Sequence, residues 1–202
     1  MATLGRYPKG VAKRAEILET ALALVARQGF HQTSVRDIAR AVGLTQAGLL
    51  YYFESKDDLW VAILRKRDEI DADKGPADPD PAGTFASLVG HNTDVPGLVQ
   101  MFTNLSAAAA TDPEHPAHEY FRERYRSVRA SLAAGIGRMQ ASGRLDDDID
   151  PEVLASILMA VSDGMQLQWM FDDSRDMRAH VDAVIALARA GNRPPTANDS
   201  PA

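Results

Sequence analysis

Apolar residues recur at three- and four-residue steps along nearly the whole chain, and no segment alternates apolar and polar residue by residue. That is the period of amphipathic helices, so the pattern predicts an all-α protein. Between residues 10 and 28 the apolar positions are Val11, Ile17, Leu18, Ala21, Leu22, Leu24 and Val25, and Gly29 follows as a C-terminal cap. Thr33 or Ser34 opens a short second helix with Val35, Ile38, Ala39 and Val42 on one face. Gly43 ends it, and Thr45 can cap the next helix almost at once. Ser55 and Asp58 have the spacing of a capping box and predict a helix reaching about Asp71.

The stretch KGPADPDPAG (74–83) breaks the periodicity, because its prolines and glycines cannot continue a helix. It is the expected seam between an N-terminal module and a C-terminal body. Helical stretches are predicted at 82–92, 96–110, 116–141, 151–172 and 176–190. The third carries Phe121, Tyr125, Val128, Leu132, Ile136 and Met139 as a one-sided stripe. Asp150-Pro151 places a cap residue before a proline suited to the first helical position. The last residues, 193–202, are poor in apolar side chains and are expected to be disordered.

Composition narrows the classes. The chain of 202 residues can bury a substantial core, and no run of 18 apolar residues is present, so no membrane span is expected. The N-terminus lacks the apolar stretch of a signal peptide. Cysteine is absent, which removes thiol chemistry and fits the cytoplasm. The net charge of −6 argues against nucleic acid, but its distribution does not. Residues 1–67 hold eleven Lys/Arg against six Asp/Glu, whereas the remainder holds eleven against twenty-two. A basic module joined to an acidic body can be held on a polyanion by counterion release. Lys9, Lys13 and Arg14 are candidates for nonspecific phosphate contacts, or equally for a solvated helix end.

Two short helices joined by a tight, glycine-containing connection match a helix-turn-helix. Ala39 is small where two helices cross, Gly43 permits the positive φ of the corner, and Leu44 can fill the space beneath it. Thr45 leaves the amides of the next helix facing outward, and Gln46 can pair bidentately with adenine. Leu49 and Phe53, four apart, belong to the core.

The stretch TSVRDIARAVGLTQAGLLYYFESKDDL resembles the DNA-binding signature of the TetR (tetracycline-repressor) family of transcriptional regulators. The resemblance covers nearly all of the first 70 residues. It implies an N-terminal three-helix DNA-binding domain, a C-terminal helical domain for ligand binding and dimerisation, and a homodimer. By that resemblance Thr33, Arg36, Thr45, Gln46, Gly48, Tyr51, Tyr52 and Lys56 lie at the DNA. Ser34, at the same helix start, and Ala47, on the DNA-facing side of 43–53, complete the set. Many members carry Lys where Gln46 sits and Tyr where Leu50 sits, so two candidate phosphate contacts of the family are absent here, and the operator sequence and the role of residue 50 are open.

The expected organisation is a DNA-binding domain over 1–55, an effector-binding and dimerisation domain over 56–192 with 56–73 as connecting helix, and the tail. The helices at 151–172 and 176–190 are apolar on more than one face and are expected to form the dimer interface, which would place two reading helices on a roughly palindromic operator in double-stranded DNA. Phe102, Leu105, Phe121, Tyr125, Met165 and Trp169 are candidates to line an effector pocket, although core packing explains each of them as well. Glu114, His115, His118 and Glu119 superficially suggest a metal site, but Pro116 interrupts them and no second ligand pair supports it. Asp146, Asp147, Asp148 and Asp150 lack the glycine pivot and terminal Glu of a calcium loop and read as a turn and cap. No metal or cofactor is expected, and no catalytic motif appears. The sequence therefore predicts a one-component repressor released by a small-molecule effector. An effector-independent DNA binder, or an all-α carrier or enzyme retaining the fold, would share much of this pattern.

Overall fold

The computed structural model describes residues 8–73, 81–91, 93 and 95–190, and the regular structure among them is helical, with no strand. In chain order the helices are α1 (Pro8–Gln28), α2 (Val35–Ala41), α3 (Gln46–Leu50), α4 (Lys56–Asp73), α5 (Pro81–His91), α6 (Pro96–Thr111), α7 (His118–Ala141), α8 (Pro151–Trp169) and α9 (Met177–Ala190). No helix among the described residues is long and apolar enough to cross a membrane. Most of the expected seam at 74–83 and all of the tail at 193–202 lie outside the described residues, although Pro81 proves to start a helix.

The described residues fall into two compact units, one within Met1–Gly75 and Asn92–Glu123, the other within Pro76–His91 and Arg124–Ala202. In the first unit α1 is the hub, packing on α2, α4 and α6, while α3 packs on α2. Ile17, Ile38, Leu49, Leu59, Ile63, Leu64 and Met101 are fully buried there. Each such side chain contributes roughly 1.5–3 kcal/mol of burial, which a three-turn helix needs because its own hydrogen bonds are marginal.

Two features hold α6 and the start of α7 within this unit. Gly97 sits in the first turn of α6 against the end of α1, so close that a Cβ there would lie 2.3 Å from the Val25 carbonyl oxygen and 2.9 Å from Gly29 Cα. Tyr120 Oη donates to Asp68 Oδ2 of α4 over 2.6 Å, and the Arg65 guanidinium lies over the same ring at 5.3 Å. Phe102 and Phe121 meet edge to face at 5.2 Å.

The second unit is built around α9, which packs on α5 and α8. Ile136, Met139, Leu158, Met177 and Val181 are fully buried in it. Asp150 caps α8 by accepting from the Glu152 amide at 2.7 Å, with Pro151 at the first position as the sequence predicts. The turn before α8 is tied by Gln140, whose side-chain amide donates to the Asp146 and Ile149 carbonyls, both at 2.7 Å.

Candidate nucleic-acid interface

The local structure of 28–59 follows from its caps. Gly29 closes α1 at φ +86 and bonds its amide to the Val25 carbonyl at 2.9 Å. Ser34 opens α2 with a full capping box: the Asp37 amide donates to Ser34 Oγ and the Ser34 amide to Asp37 Oδ2, both at 3.2 Å. The Ser34 hydroxyl also donates to Asp37 Oδ2, and that bond holds the Asp37 carboxyl below its ordinary pKa. Gly43 turns the chain at φ +69, a conformation that a side chain would strain. The Leu44 amide reaches back to the Ala39 carbonyl at 2.8 Å. Thr45 Oγ1 then accepts from the Gly48 amide at 3.0 Å and starts α3.

This geometry sorts the sequence motif by face. Leu49 and Phe53 are buried beneath α3 with Ile38 and Ala39 of α2. On the outside, Thr45, Gln46 and Ala47 are exposed, and Tyr51 is 61% exposed with its ring edge to face with Tyr52 at 6.0 Å. Gly48, Leu50 and Tyr52 are partly covered, while Ser34, Arg36 and Lys56 are exposed. Thus Ser34, Arg36, Thr45, Gln46, Ala47 and Tyr51 lie at the surface of one helix-turn-helix, and Lys56 lies at the surface of the first turn of α4.

Thr33 differs from the expectation for it. It is 5% exposed, its hydroxyl donates to the Gly29 carbonyl at 2.7 Å, and it accepts from Gln28 Nε2 at 3.2 Å. Its hydroxyl is spent joining the end of α1 to the start of α2. Ser55 keeps its expected cap, accepting from the Asp58 amide at 2.9 Å, but Asp58 returns its carboxylate to the Glu54 amide rather than to Ser55.

The candidate pocket residues are divided between the units. Phe102, Leu105 and Phe121 are buried in the first; Met165 and Trp169 are buried and Tyr125 half-buried in the second. Sequence reasoning missed Asp163, whose carboxylate accepts a 2.7 Å hydrogen bond from Tyr125 Oη. Its signal was a lone acid in the middle of the apolar stretch of α8. Burial raises the pKa of both groups, and the nearby Asp163 charge raises that of Tyr125 further.

The histidines at 115 and 118 serve the chain itself. His115 Nδ1 accepts from the Ala117 amide at 3.0 Å, and His118 Nδ1 pairs with the Ala109 carbonyl at 2.8 Å. Asp146 Oδ1 likewise accepts from the Asp148 amide at 3.0 Å, and carboxylate oxygens of Asp146, Asp147 and Asp148 lie within 4.8 Å of one another.

Comparison with known proteins agrees with the geometry. Residues 17–63 match the family model for bacterial regulatory proteins of the tetR family, and residues 92–190 match the model for the C-terminal part of BetI-type transcriptional repressors. The HTH-type transcriptional regulator RutR of Escherichia coli K12 is 42% identical over 65 residues, which are 32% of this chain and 31% of RutR. The chain therefore spans about a third of the length of that relative. The HTH-type transcriptional repressor Rv1474c of Mycobacterium tuberculosis is 25% identical over 158 residues, 76% of this chain and 80% of the relative. Among solved structures, a TetR transcription regulator from Haloarcula marismortui superposes with a TM-score of 0.72 at 22% identity, covering 89% of this chain and 98% of the other.

Proposed function

Because this chain belongs to the tetR family of bacterial regulatory proteins, we propose that it is a sequence-specific DNA-binding repressor that acts as a homodimer and is released by a small-molecule effector. One observation carries the DNA reading above the rest. The capped α2–turn–α3 unit buries Leu49 and Phe53 while leaving Thr45, Gln46, Ala47 and Tyr51 exposed on the same short helix and its exit. Gln46 supplies the donor and acceptor pair that matches an adenine edge, and the low bulk of Ala47 and Gly48 lets the backbone approach the groove. Arg36, Ser34, Tyr51, Tyr52 and Lys56 supply surrounding groups for phosphates. Thr33 falls outside this set.

The dimer rests on α8 and α9. Phe171 is 87% exposed and Leu187 is 74% exposed, and Val153, Ile157 and Leu167 are exposed as well. Val153 and Ile157 also line a shallow groove of about 490 Å³ with Arg129, Glu152, Ser156 and Ala160. Apolar surface on two packed helices favours a second copy of the same surface, which also sets two α3 helices on two half-sites. In this reading the effector is a small apolar or amphipathic molecule taken up by the helical body. It shifts the dimer toward one spacing of the DNA-binding domains by its differential affinity for the two. The role is regulatory rather than catalytic, and acting on DNA places it in the cytoplasm.

Selection from random duplex DNA at several salt concentrations tests the reading. Enrichment of an inverted repeat is the expected result. Equal recovery of all sequences at every salt concentration overturns it.

A further inference from the structure

The charge pattern marks Lys13 and Arg14 as cations that phosphate would attract, yet the fold uses both internally. Lys13 Nζ donates to the Val42 carbonyl oxygen at 2.7 Å and pairs with Glu16 Oε1 at 2.9 Å, leaving its side chain 25% exposed. Arg14 places its guanidinium carbon 5.0 Å from the centre of the Phe53 ring, a cation–π distance. Phe53 is buried, so the charge is stacked on a fixed surface.

The positions of the two targets give the pair its meaning. Val42 is the C-cap of α2, directly before the Gly43 corner, and Phe53 lies just after the exit of α3. Two consecutive residues of α1 therefore grip the chain on either side of α3. That helix has five residues, too few to fix itself by its own hydrogen bonds. Beyond the burial of Leu49, its orientation depends on what holds its ends. A cation on the last carbonyl of α2 also meets the negative end of that helix dipole, which favours this position for Lys13.

We propose that Lys13 and Arg14 are positioning residues for α3: through Val42 and Phe53 they fix the angle at which Gln46 and its neighbours are presented, and so set base selectivity. This rests on the DNA-reading role argued above. A phosphate contact and a positioning contact predict different losses. Removing a phosphate contact weakens all sequences alike and lowers the salt slope by about one per charge. Removing a positioning contact lowers the preference for the cognate sequence and leaves the slope in place.

The experiment compares the full-length wild type with Lys13→Met, Lys13→Arg and Arg14→Leu. Binding is measured to a duplex carrying the selected inverted repeat and to a scrambled duplex, across a salt series. Lys13→Met and Arg14→Leu should each reduce the cognate-to-scrambled ratio by about tenfold, the size of one lost base contact, at an unchanged salt slope. Lys13→Arg, which keeps a charged donor, should restore most of the ratio. Amide hydrogen exchange without DNA supplies the second readout. In Lys13→Met, exchange at Leu44, Gly48 and Leu49 should speed up while α8 and α9 stay as in the wild type. A uniform loss with a slope reduced by about one overturns the proposal, and so does unchanged exchange in α3. Absence of any sequence preference in the wild type overturns the DNA reading, and the exchange comparison still decides whether Lys13 holds α3.

Discussion

Tyr125 Oη donates a 2.7 Å hydrogen bond to Asp163 Oδ2, joining α7 to α8 inside the second unit. Burial raises the Asp163 pKa above its ordinary 3.8, with the Tyr125 bond and the Arg124 charge opposing it. The folded state therefore binds the Asp163 proton more tightly than the unfolded chain does. Stability from this group is greatest below the ordinary carboxylate pKa and falls as pH rises from there through the raised folded value. Asp163→Asn, whose amide oxygen still accepts from Tyr125, should unfold at higher urea than the wild type at neutral pH. The difference should shrink as pH falls toward 4, and a urea series between pH 3.5 and 7.5 measures it. A constant difference across that range contradicts the assignment.

Gly97 predicts a backbone conflict. A methyl group there would meet the Val25 carbonyl at 2.3 Å and the Phe30 amide nitrogen at 3.1 Å, and neither is the end of a flexible side chain. Gly97→Ala should cost roughly 1–3 kcal/mol despite the better helix propensity of alanine, and Gly97→Val should cost more. By contrast, a methyl group at Gly137 would meet only Pro151 Cγ, at 4.0 Å, so Gly137→Ala should be neutral or stabilising. Urea unfolding midpoints of the two alanine variants should move in different directions.

These two cases show what the sequence could and could not carry. The helices were legible because Ile17, Leu18, Ala21, Leu24 and Val25 repeat at the helical period, and the helix-turn-helix because Gly43, Thr45 and Ser34 are residues of narrow conformational use. The surface side of 45–52 followed from the same period once Leu49 and Phe53 were assigned inward. The close approach of Gly97 to Val25 was not legible, since no periodicity reports a contact between residues so far apart in the chain. Thr33 looked like a polar helix start, and only tertiary packing reveals that its hydroxyl is turned onto Gly29. Lys13 and Arg14 looked like surface charge for the same reason: residue type gives the sign of a cation but not its partner.

If the exposed side of the helix-turn-helix meets DNA as proposed, groups that read bases and groups that meet the backbone lose binding in different ways. Gln46 is exposed in the first turn of α3, and Lys56 is exposed at the first residue of α4. Gln46→Ala should relax the preference at one base pair of each half-site, by about 1–3 kcal/mol of discrimination. Lys56→Ala should weaken cognate and scrambled duplexes alike and lower the salt slope by about one. Paired binding isotherms across a salt series measure both, and an exchange of the two phenotypes would reverse the roles assigned here.

The α8 face supplies a sharper test of dimerisation than a single exposed leucine. Val153, Ile157, Ala160 and Gly164 follow one another at helical steps on one side of α8, and a Cβ at Gly164 would meet nothing within 4 Å. In an isolated subunit Gly164→Ala should therefore stabilise the helix, by about 1 kcal/mol from propensity alone. If a second copy packs on this face, bulk at the same position meets the partner. Gly164→Leu should then weaken association, and the effect should grow with side-chain size while urea stability of the dissociated protein does not fall. Leu187→Glu places a charge on the exposed apolar side chain of α9, the helix that packs against α8, and should give monomers at micromolar concentration if that side chain is in the interface. Sedimentation velocity reads both outcomes. A wild type that sediments as a monomer, or a Leu187→Glu variant that stays dimeric, removes α8 and α9 as the interface. A monomeric Leu187→Glu protein should also lose affinity for a two-half-site duplex far more than for a single half-site, because only the dimer can engage both.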